Sequence, residues 1–347
     1  MSKRIAINGF GRIGRAFFKL ALTKPELDVV AINDLGDLDN LAYLLKYDSV
    51  YGRFDKEVSV GENMLVISDP STGPGSLKKV PFLSEKDIVK LPWAELGVDI
   101  VVEATGMFES FEKASVHKQA GAKRVVLTAP AKDEDTADAK TVLMGVNDDE
   151  LKTCSVSSNG SCTTNSASPI MEILQEKIGI KKAFLNTVHG YTAAQNLVDG
   201  TVKNNDFRHG RAAGINIVPS PTGAAISVTR AVHELLGKFD GVAMRVPVSA
   251  GSLSAIVFVS SRPTTVEEIN NILKGAEKEA RWGGIFKTTT DQLVSTDIIG
   301  DPYPAIADLS LTHVTDGDLC CVYSWYDNEF GYTNTLVQHV LKVAENL

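Results

Sequence analysis

Arg4-Ile5-Ala6-Ile7-Asn8-Gly9-Phe10-Gly11-Arg12-Ile13-Gly14 decides how this chain is read. A short β-branched run passes directly into Gly-x-Gly-x-x-Gly, and Arg12 to Thr23 then reads as a helix. Glycines in that order allow a tight turn and close approach of backbone to a pyrophosphate, which the helix N-terminus then holds. The motif alone is weak evidence, but its context is complete. A strand precedes it, a helix follows it, and Asp34 ends a second strand-like run, Asp28 to Asn33. An acidic side chain at that point binds adenosine ribose hydroxyls and repels a 2′-phosphate, which favours NAD over NADP. Gly9, Gly11, Arg12, Ile13, Gly14 and Asp34 are therefore candidate cofactor contacts.

The same alternation of short apolar strands and helical stretches continues outward, the pattern of a parallel α/β sheet. Asp99 to Ala104 and Lys123 to Thr128 read as buried strands separated by a helix near Ser110 to Gln119. Thr141 to Gly145 and Cys154 to Ser157 extend the series up to Cys162, while the Gly/Pro/Ser patch Asp69 to Ser76 reads as a hairpin or loop. Beyond Cys162 the grammar changes. Ala183 to Val188, Gly241 to Pro247 and Ser252 to Ser261 alternate over longer runs, as antiparallel strands do. Val266 to Arg281 reads as an amphipathic helix, and Thr335 to Glu345 as a last helix packed back on the first domain. The expected fold is α/β. A Rossmann dinucleotide-binding domain spans residues 1–161, completed by the C-terminal helix at about 329–347. An α+β catalytic domain with a largely antiparallel sheet spans 162–328.

Bulk properties narrow the function. A chain of 347 residues can bury a large core, and 44% hydrophobic with 22% charged residues is ordinary for a globular enzyme. A net charge of −8 and a pI near 5.4 argue against nucleic acid or a membrane surface as partner. No run of apolar residues is long enough to span a bilayer, and Met1 to Arg4 leads straight into a strand with no room for a signal peptide. Cys154, Cys162, Cys320 and Cys321 form no Cys-x-x-Cys pair and no metal-ligand spacing. Adjacent Cys320 and Cys321 would point to opposite faces of a strand and are poorly placed to bridge. A reducing cytoplasm is the expected location.

Cys162 is the residue placed for chemistry. It lies in Ser158-Asn159-Gly160-Ser161-Cys162-Thr163-Thr164-Asn165, just before the helical run Pro169 to Ile178. Pro169 falls in the first turns, where a missing N–H costs little. A helix N-terminus stabilises a thiolate, so a lowered thiol pKa is expected. The bland reading of such a cysteine is a small buried hydrophobe.

These segments, together with Thr187-Val188-His189-Gly190-Tyr191-Thr192, Pro221 to Ala225, Arg245-Val246-Pro247 and Ser324 to Tyr332, resemble the phosphorylating glyceraldehyde-3-phosphate dehydrogenase family in order and extent. The resemblance implies Cys162 as nucleophile and His189 as base. Cys162 would attack the aldehyde, the thiohemiacetal would give up hydride to NAD, and inorganic phosphate would release the acyl group from the thioester. It implies that Thr192 and Arg245 hold the phosphate of glyceraldehyde 3-phosphate, and that Ser161, Thr163, Thr222 and Gly223 hold the attacking phosphate. Ser161 and Thr163 thereby read less as helix caps than as part of a phosphate pocket. Thr128 and Asn328 match nicotinamide-side contacts, and Lys86 stands where the family often has arginine near the adenine. The loop Arg208 to Arg211 corresponds to one that lines a neighbouring subunit's cofactor site, which implies a homotetramer.

The chain also departs from the family pattern. Gly160 stands for the usual alanine, a change expected to loosen the turn before Cys162. Phe330 replaces a tryptophan, and Val248 to Ser254 diverges in a way expected to alter core or subunit contacts. Asp199-Gly200-Thr201 lacks the proline usual in NAD-specific members; small residues there occur in members that also accept NADP. Two rival readings are an erythrose-4-phosphate dehydrogenase and a thiol hydrolase using Cys162 and His189. Gly190 to Gln195 follows the glyceraldehyde pattern, and a hydrolase would not need the dinucleotide fingerprint.

Overall fold

The strand β1 (Lys3–Asn8) turns at Gly9 into α1 (Arg12–Ala21), and β2 (Leu27–Asn33) returns parallel to it, with Asn8 beside Asn33. A parallel return needs a crossover, and the intervening helix supplies it. This arrangement is seen in a computed structural model that describes residues 2–69, 77–203 and 205–347.

The chain divides into two compact units. One comprises Met1–Val142, Asp149–Asn159 and Leu336–Leu347; the other comprises Leu143–Asp148 and Gly160–Thr335. After β2 the first unit contains α2 (Leu38–Lys46) and the small ribbon β3 (Tyr47–Asp48) and β4 (Gly52–Arg53). It continues with β5 (Glu57–Gly61), β6 (Met64–Ser68), β7 (Leu77–Leu83), β8 (Ile100–Glu103), α3 (Phe111–Gln119), β9 (Arg124–Leu127), β10 (Ala139–Thr141) and β11 (Val156–Ser158). Nine strands pair in the order β10-β11-β9-β8-β1-β2-β7-β6-β5. Pairing is parallel from β10 through β7, and β7, β6 and β5 form an antiparallel edge. Ile100, Val101 and Val102 are all fully buried, so β8 is covered on both faces, which is why it reads as a continuous apolar run. The segment read as a strand from Thr141 to Gly145 stops at Thr141, since Gly145 has φ +77 and Asn147 takes the Leu143 N–H on its side chain. In the patch Asp69 to Ser76, residues 70–76 lie outside the described residues.

The second unit begins with α4 (Cys162–Lys177) and β12 (Ile180–Gly190). It continues through β13 (Val218–Pro221), α5 (Ala224–Ala231), β14 (Phe239–Val246), β15 (Ser252–Ser260), α6 (Val266–Ala276), β16 (Phe286–Thr289), β17 (Ala305–Thr315) and β18 (Leu319–Tyr326). Its seven-stranded sheet has the order β13-β14-β12-β15-β18-β17-β16. The sheet is largely antiparallel, as expected, but β12 pairs β14 and β16 pairs β17 in parallel. The first of these parallel pairs sets the site described below. Ala167, Ile170, Met171 and Leu174 of α4 are fully buried, and the helix packs against β15, β17 and β18.

Two helix boundaries differ from expectation. α6 ends at Ala276, because Glu279 adopts extended backbone and Trp282 turns in to be fully buried. The last helix, α7 (Phe330–Glu345), starts earlier than Thr335, because Asp327 Oδ1 accepts from the N–H groups of Glu329 and Phe330 at 2.9 and 2.8 Å. No helix among the described residues is long and apolar enough to cross a membrane.

Candidate active site

The three fingerprint glycines do three different jobs. Gly9 has φ +96, and a Cβ there would stand 2.6 Å from the Ala104 carbonyl carbon and the Thr105 nitrogen. A Cβ on Gly14 would meet Gly9 O at 2.1 Å, so this residue lets α1 press onto the turn. Gly11 has nothing within 4 Å of its would-be Cβ, which leaves the backbone open to a ligand. Beside the turn is a cavity of about 370 Å³ lined by Gly9, Gly11, Asp34, Lys86, Thr105 and Phe108, among others. Asp34 Oδ2 accepts from Phe10 N–H at 2.6 Å and Oδ1 from Gly36 N–H at 2.7 Å, so the carboxylate is fixed at the cavity wall. Arg12 turns its guanidinium to Asp48 at 3.1 and 3.2 Å, and with Ile13 it opens the first turn of α1, whose N-cap Gly11 offers no side chain. Thr128 lies just past β9, with its N–H on Glu103 O at 3.1 Å. Close-packed glycines, an open backbone and a carboxylate at the end of the second strand fit a dinucleotide.

A buried polar network beneath this cavity was not legible in the sequence. Asn33 Nδ2 donates to Asn8 Oδ1 (2.7 Å), Asn8 Nδ2 to Glu103 Oε2 (2.6 Å), and Thr105 N–H to Glu103 Oε1 (2.9 Å). Trp93 Nε1 donates to His117 Nδ1 at 3.0 Å, so His117 Nε2 carries the proton it gives to Glu103 Oε2, also at 3.0 Å. Every oxygen of the buried carboxylate is thus bonded, and the network ties β1, β2, β8 and α3 together under the cavity floor.

In the second unit Cys162 is the first residue of α4, and its Sγ lies 3.3 Å from His189 Nε2. Ser161 caps this helix, with Oγ accepting from Thr164 N–H at 3.1 Å. Ser161 is therefore a helix cap, contrary to the expectation that it is less cap than pocket, and its hydroxyl, accepting from that amide, keeps a proton that it can donate. Gly160 has φ +60 and a would-be Cβ only 2.9 Å from Thr164 Cγ2, so the turn before Cys162 is tight rather than loosened.

His189 and Arg245 face each other because the parallel register of β12 and β14 pairs them directly. Arg245 Nη1 lies 2.5 Å from His189 Nδ1, and Gly190 O lies 2.7 Å from the same nitrogen. Burial first, and the Arg245 charge second, push the imidazole pKa down to about 3. Burial also pushes the Cys162 thiol up, against the Arg245 charge and the hydrogen bonds of Thr163. The expected lowering of the thiol pKa is therefore not met. A helix N-terminus contributes about 1 kcal/mol toward a thiolate, less than the cost of stripping water from it. For each group taken singly burial favours the neutral form, and moving one proton from Sγ to Nε2 makes a thiolate–imidazolium pair without changing the net charge.

Tyr326 is a site residue that the motif reading passed over. Its hydroxyl sits between Thr163 Oγ1 (2.9 Å) and Thr187 Oγ1 (2.7 Å), and its ring meets His189 edge-on at 5.9 Å. The alternation of β18, which buries Cys320, Val322, Ser324 and Tyr326, was the available signal. The same alternation puts Cys321 on the other face from Cys320, as expected. Thr192 and Thr222 serve local turns, accepting from Ala194 and Ala224 N–H, and Gly223 precedes α5 as its N-cap.

The divergent segment Val248 to Ser254 has a defined role. Asn328 Oδ1 accepts from Gly251 N–H at 3.1 Å and from Ser252 Oγ at 3.0 Å, while Ser252 Oγ accepts from Gly190 N–H at 3.2 Å. Gly251 is required there, since it has φ +85 and a Cβ would meet Ser295 O at 2.3 Å. The segment therefore orients the Asn328 amide and steadies the residue after His189.

A dinucleotide cradle in one unit and a thiol, imidazole and guanidinium gathered in the other define an NAD-linked oxidoreductase that carries a cysteine beside a histidine. Residues 3–111 match the family model of the glyceraldehyde 3-phosphate dehydrogenase NAD binding domain, and residues 161–328 that of its C-terminal domain. The chain is 45% identical over 349 residues to glyceraldehyde-3-phosphate dehydrogenase of Clostridium pasteurianum, covering 99% of both chains. It is 44% identical over 354 residues to that of Mycobacterium avium, covering both fully, and 44% over 346 residues to that of Geobacillus stearothermophilus, covering 99% of both. The chain belongs to the glyceraldehyde-3-phosphate dehydrogenase family.

Proposed function

We propose that the chain oxidises D-glyceraldehyde 3-phosphate with NAD and inorganic phosphate to 1,3-bisphosphoglycerate, in glycolysis or gluconeogenesis. The observation that carries this reading is the 3.3 Å separation of Cys162 Sγ and His189 Nε2 at the start of α4. Cys162 is the nucleophile; His189 Nε2 takes the thiol proton, returns it to the aldehyde oxygen as the C–S bond forms, and takes it again from the thiohemiacetal hydroxyl as hydride leaves. NAD, when bound, accepts the hydride. Gly9, Gly11, Arg12, Ile13, Gly14, Asp34, Lys86, Thr128 and Asn328 are the residues that would hold it. Thr192 and Arg245 bind the substrate's phosphate; Ser161, Thr163, Thr222 and Gly223 bind the attacking phosphate. N–H groups of the first turn of α4 stabilise the oxyanion. The dinucleotide domain is residues 1–161, completed by the helix at about 329–347, and the catalytic domain is 162–328.

A homotetramer fits the surface of the second unit. Phe184, Val188 and Val257 are exposed on its sheet, and Leu197, Val198, Phe207, Ile215 and Ile217 are exposed around the Arg208 to Arg211 loop. Four free cysteines support a reducing cytoplasm. Initial rates decide the reading: NADH formation should require inorganic phosphate, prefer NAD to NADP, and show higher kcat/KM for glyceraldehyde 3-phosphate than for erythrose 4-phosphate. Cys162→Ser should abolish turnover while leaving NAD binding intact. Substantial residual activity in that variant refutes the nucleophile assignment.

A further inference from the structure

The pairing of β2 with β7 is short. Ile32 faces Phe82, Asn33 faces Leu83, and Asp34 N–H still reaches Leu83 O at 3.1 Å. The chain beyond Leu83 has to be held in another way, because Glu85 and Lys86 line the cavity beside the glycine turn. The Asn33 side chain takes over from the ladder. Its Oδ1 accepts from Glu85 N–H at 2.9 Å and its Nδ2 donates to Glu85 O at 3.0 Å. One carboxamide thus grips both backbone groups of Glu85, as a neighbouring strand would.

That grip works only one way round. Turned end for end, the amide would set Nδ2 against Glu85 N–H, donor against donor. Its sense is tied to the next side chain, since Asn33 Nδ2 also donates to Asn8 Oδ1 at 2.7 Å. Asn8 must therefore present its oxygen to Asn33, and its Nδ2 goes to Glu103 Oε2 at 2.6 Å. A carboxylate can only accept and a backbone N–H can only donate. Two amides strung between ends of fixed polarity have a single arrangement in which every bond is made. Asn8, Asn33 and Glu103 are all buried, so water does not replace a lost partner. Glu103 also serves the opposite wall: Oε1 accepts from Thr105 N–H at 2.9 Å, and Thr105 Oγ1 accepts from Met107 N–H at 3.1 Å. Thr105 and Met107 line the same cavity.

We propose that Glu103 is a positioning residue for the cofactor: its carboxylate sets the polarity of the Asn8–Asn33 relay and thereby places the Glu85–Lys86 wall on the adenosine side of the cavity. This rests on the reading of Lys86 as an adenine-side contact and supplies the device that places it. Glu103 acts through the relay, without touching the dinucleotide.

Glu103→Gln keeps the shape of the side chain and removes its all-acceptor character. The new amide must then meet a donor, whether Asn8 Nδ2, His117 Nε2 or Thr105 N–H. If Asn8 turns over to relieve this, its Nδ2 meets Asn33 Nδ2. If Asn33 follows, its Nδ2 meets Glu85 N–H, and the wall shifts. Binding of NAD and of ADP-ribose, which lacks the nicotinamide, is measured by calorimetry on the full chain. Both should weaken roughly tenfold, the scale of one buried hydrogen bond. In turnover, KM for NAD should rise while kcat at saturating NAD stays unchanged. Adding Asn8→Asp to Glu103→Gln moves the carboxylate one side chain along the relay. It can accept from the glutamine amide and from Asn33 Nδ2, so affinity should return to within about threefold of the wild type. A merely structural role would not be repaired by relocating a charge inside the network. ADP-ribose binding unchanged in Glu103→Gln, or as weak in the double variant as in the single one, overturns the relay. A loss seen with NAD and not with ADP-ribose puts the effect on the nicotinamide side and also overturns it. If Glu103→Gln fails to fold, Asn33→Ser leaves Asn8 on Glu103 and releases Glu85; it should show the same loss for ADP-ribose, and an unchanged Kd there refutes the proposal. A wild type that does not bind ADP-ribose overturns the reading of the cavity itself, and the relay with it.

Discussion

Acid should destabilise this protein through a histidine that does no chemistry. His339 of α7 is fully buried with its Nε2 2.7 Å from Ser157 Oγ, and burial holds its pKa down to about 3. In the unfolded chain the same imidazole titrates near ~6.5. Above that value it is neutral in both states and contributes no pH dependence. Below it the unfolded chain takes up a proton that the folded chain refuses, so stability falls as pH falls, through the window from about 6.5 down to about 3. The loss grows as RT ln(1 + 10^(6.5−pH)), which is about 1.4 kcal/mol at pH 5.5 and about 2.7 kcal/mol at pH 4.5. His339→Gln isolates it, because a glutamine amide reaches close to the Nε2 position and does not titrate. Urea unfolding followed by circular dichroism at pH 7.5 and 5.5 gives the stability change for each protein. Whatever its starting stability, the variant should lose about 1.4 kcal/mol less than the wild type over this step. Equal losses would mean that the buried ring accepts a proton in the folded state, and the reasoning would fail.

Two further perturbations test the remaining packing arguments. Gly14→Ala places a methyl 2.1 Å from Gly9 O, so α1 must move off the turn. At a strain cost of about 1–3 kcal/mol, NAD should bind roughly ten to a hundred times more weakly by calorimetry with the circular dichroism spectrum unchanged; an unaltered Kd would contradict the close-packing role. Tyr326→Phe removes the group joining the Thr163 and Thr187 hydroxyls. A stability loss of about 1–3 kcal/mol is expected from urea midpoints, and a neutral result would mean that those hydroxyls find other partners.

Residues 4–14 were enough to announce the cofactor fold because each step there is local. A β-branched run makes a strand, glycines make the turn, and the next ten residues make the helix. Motif order carried the rest of the family resemblance, and Cys162, His189 and Arg245 were named before any distance was known. Boundaries failed where burial or a distant cap intervened. Trp282 turning inward ended α6 at Ala276, and the Asp327 side chain started α7 at Phe330. The divergent segment after Pro247 was legible as a departure and not as a support. Its purpose depends on Asn328, 77 residues on from Gly251.

Sequence alone therefore settled what depends on neighbours within a turn or two of chain, the strand–glycine–helix unit and the alternating grammar of each half, while the pairing of Cys162 with His189 was implied by the family resemblance. The tertiary structure decided what those groups are like. A parallel register between β12 and β14 sets Arg245 beside His189, and burial pushes the thiol pKa up and the imidazole pKa down. Desolvation and register arise only when segments far apart in the chain pack together, and the energy of moving a charge out of water is larger than any helix-end preference readable from neighbouring residues.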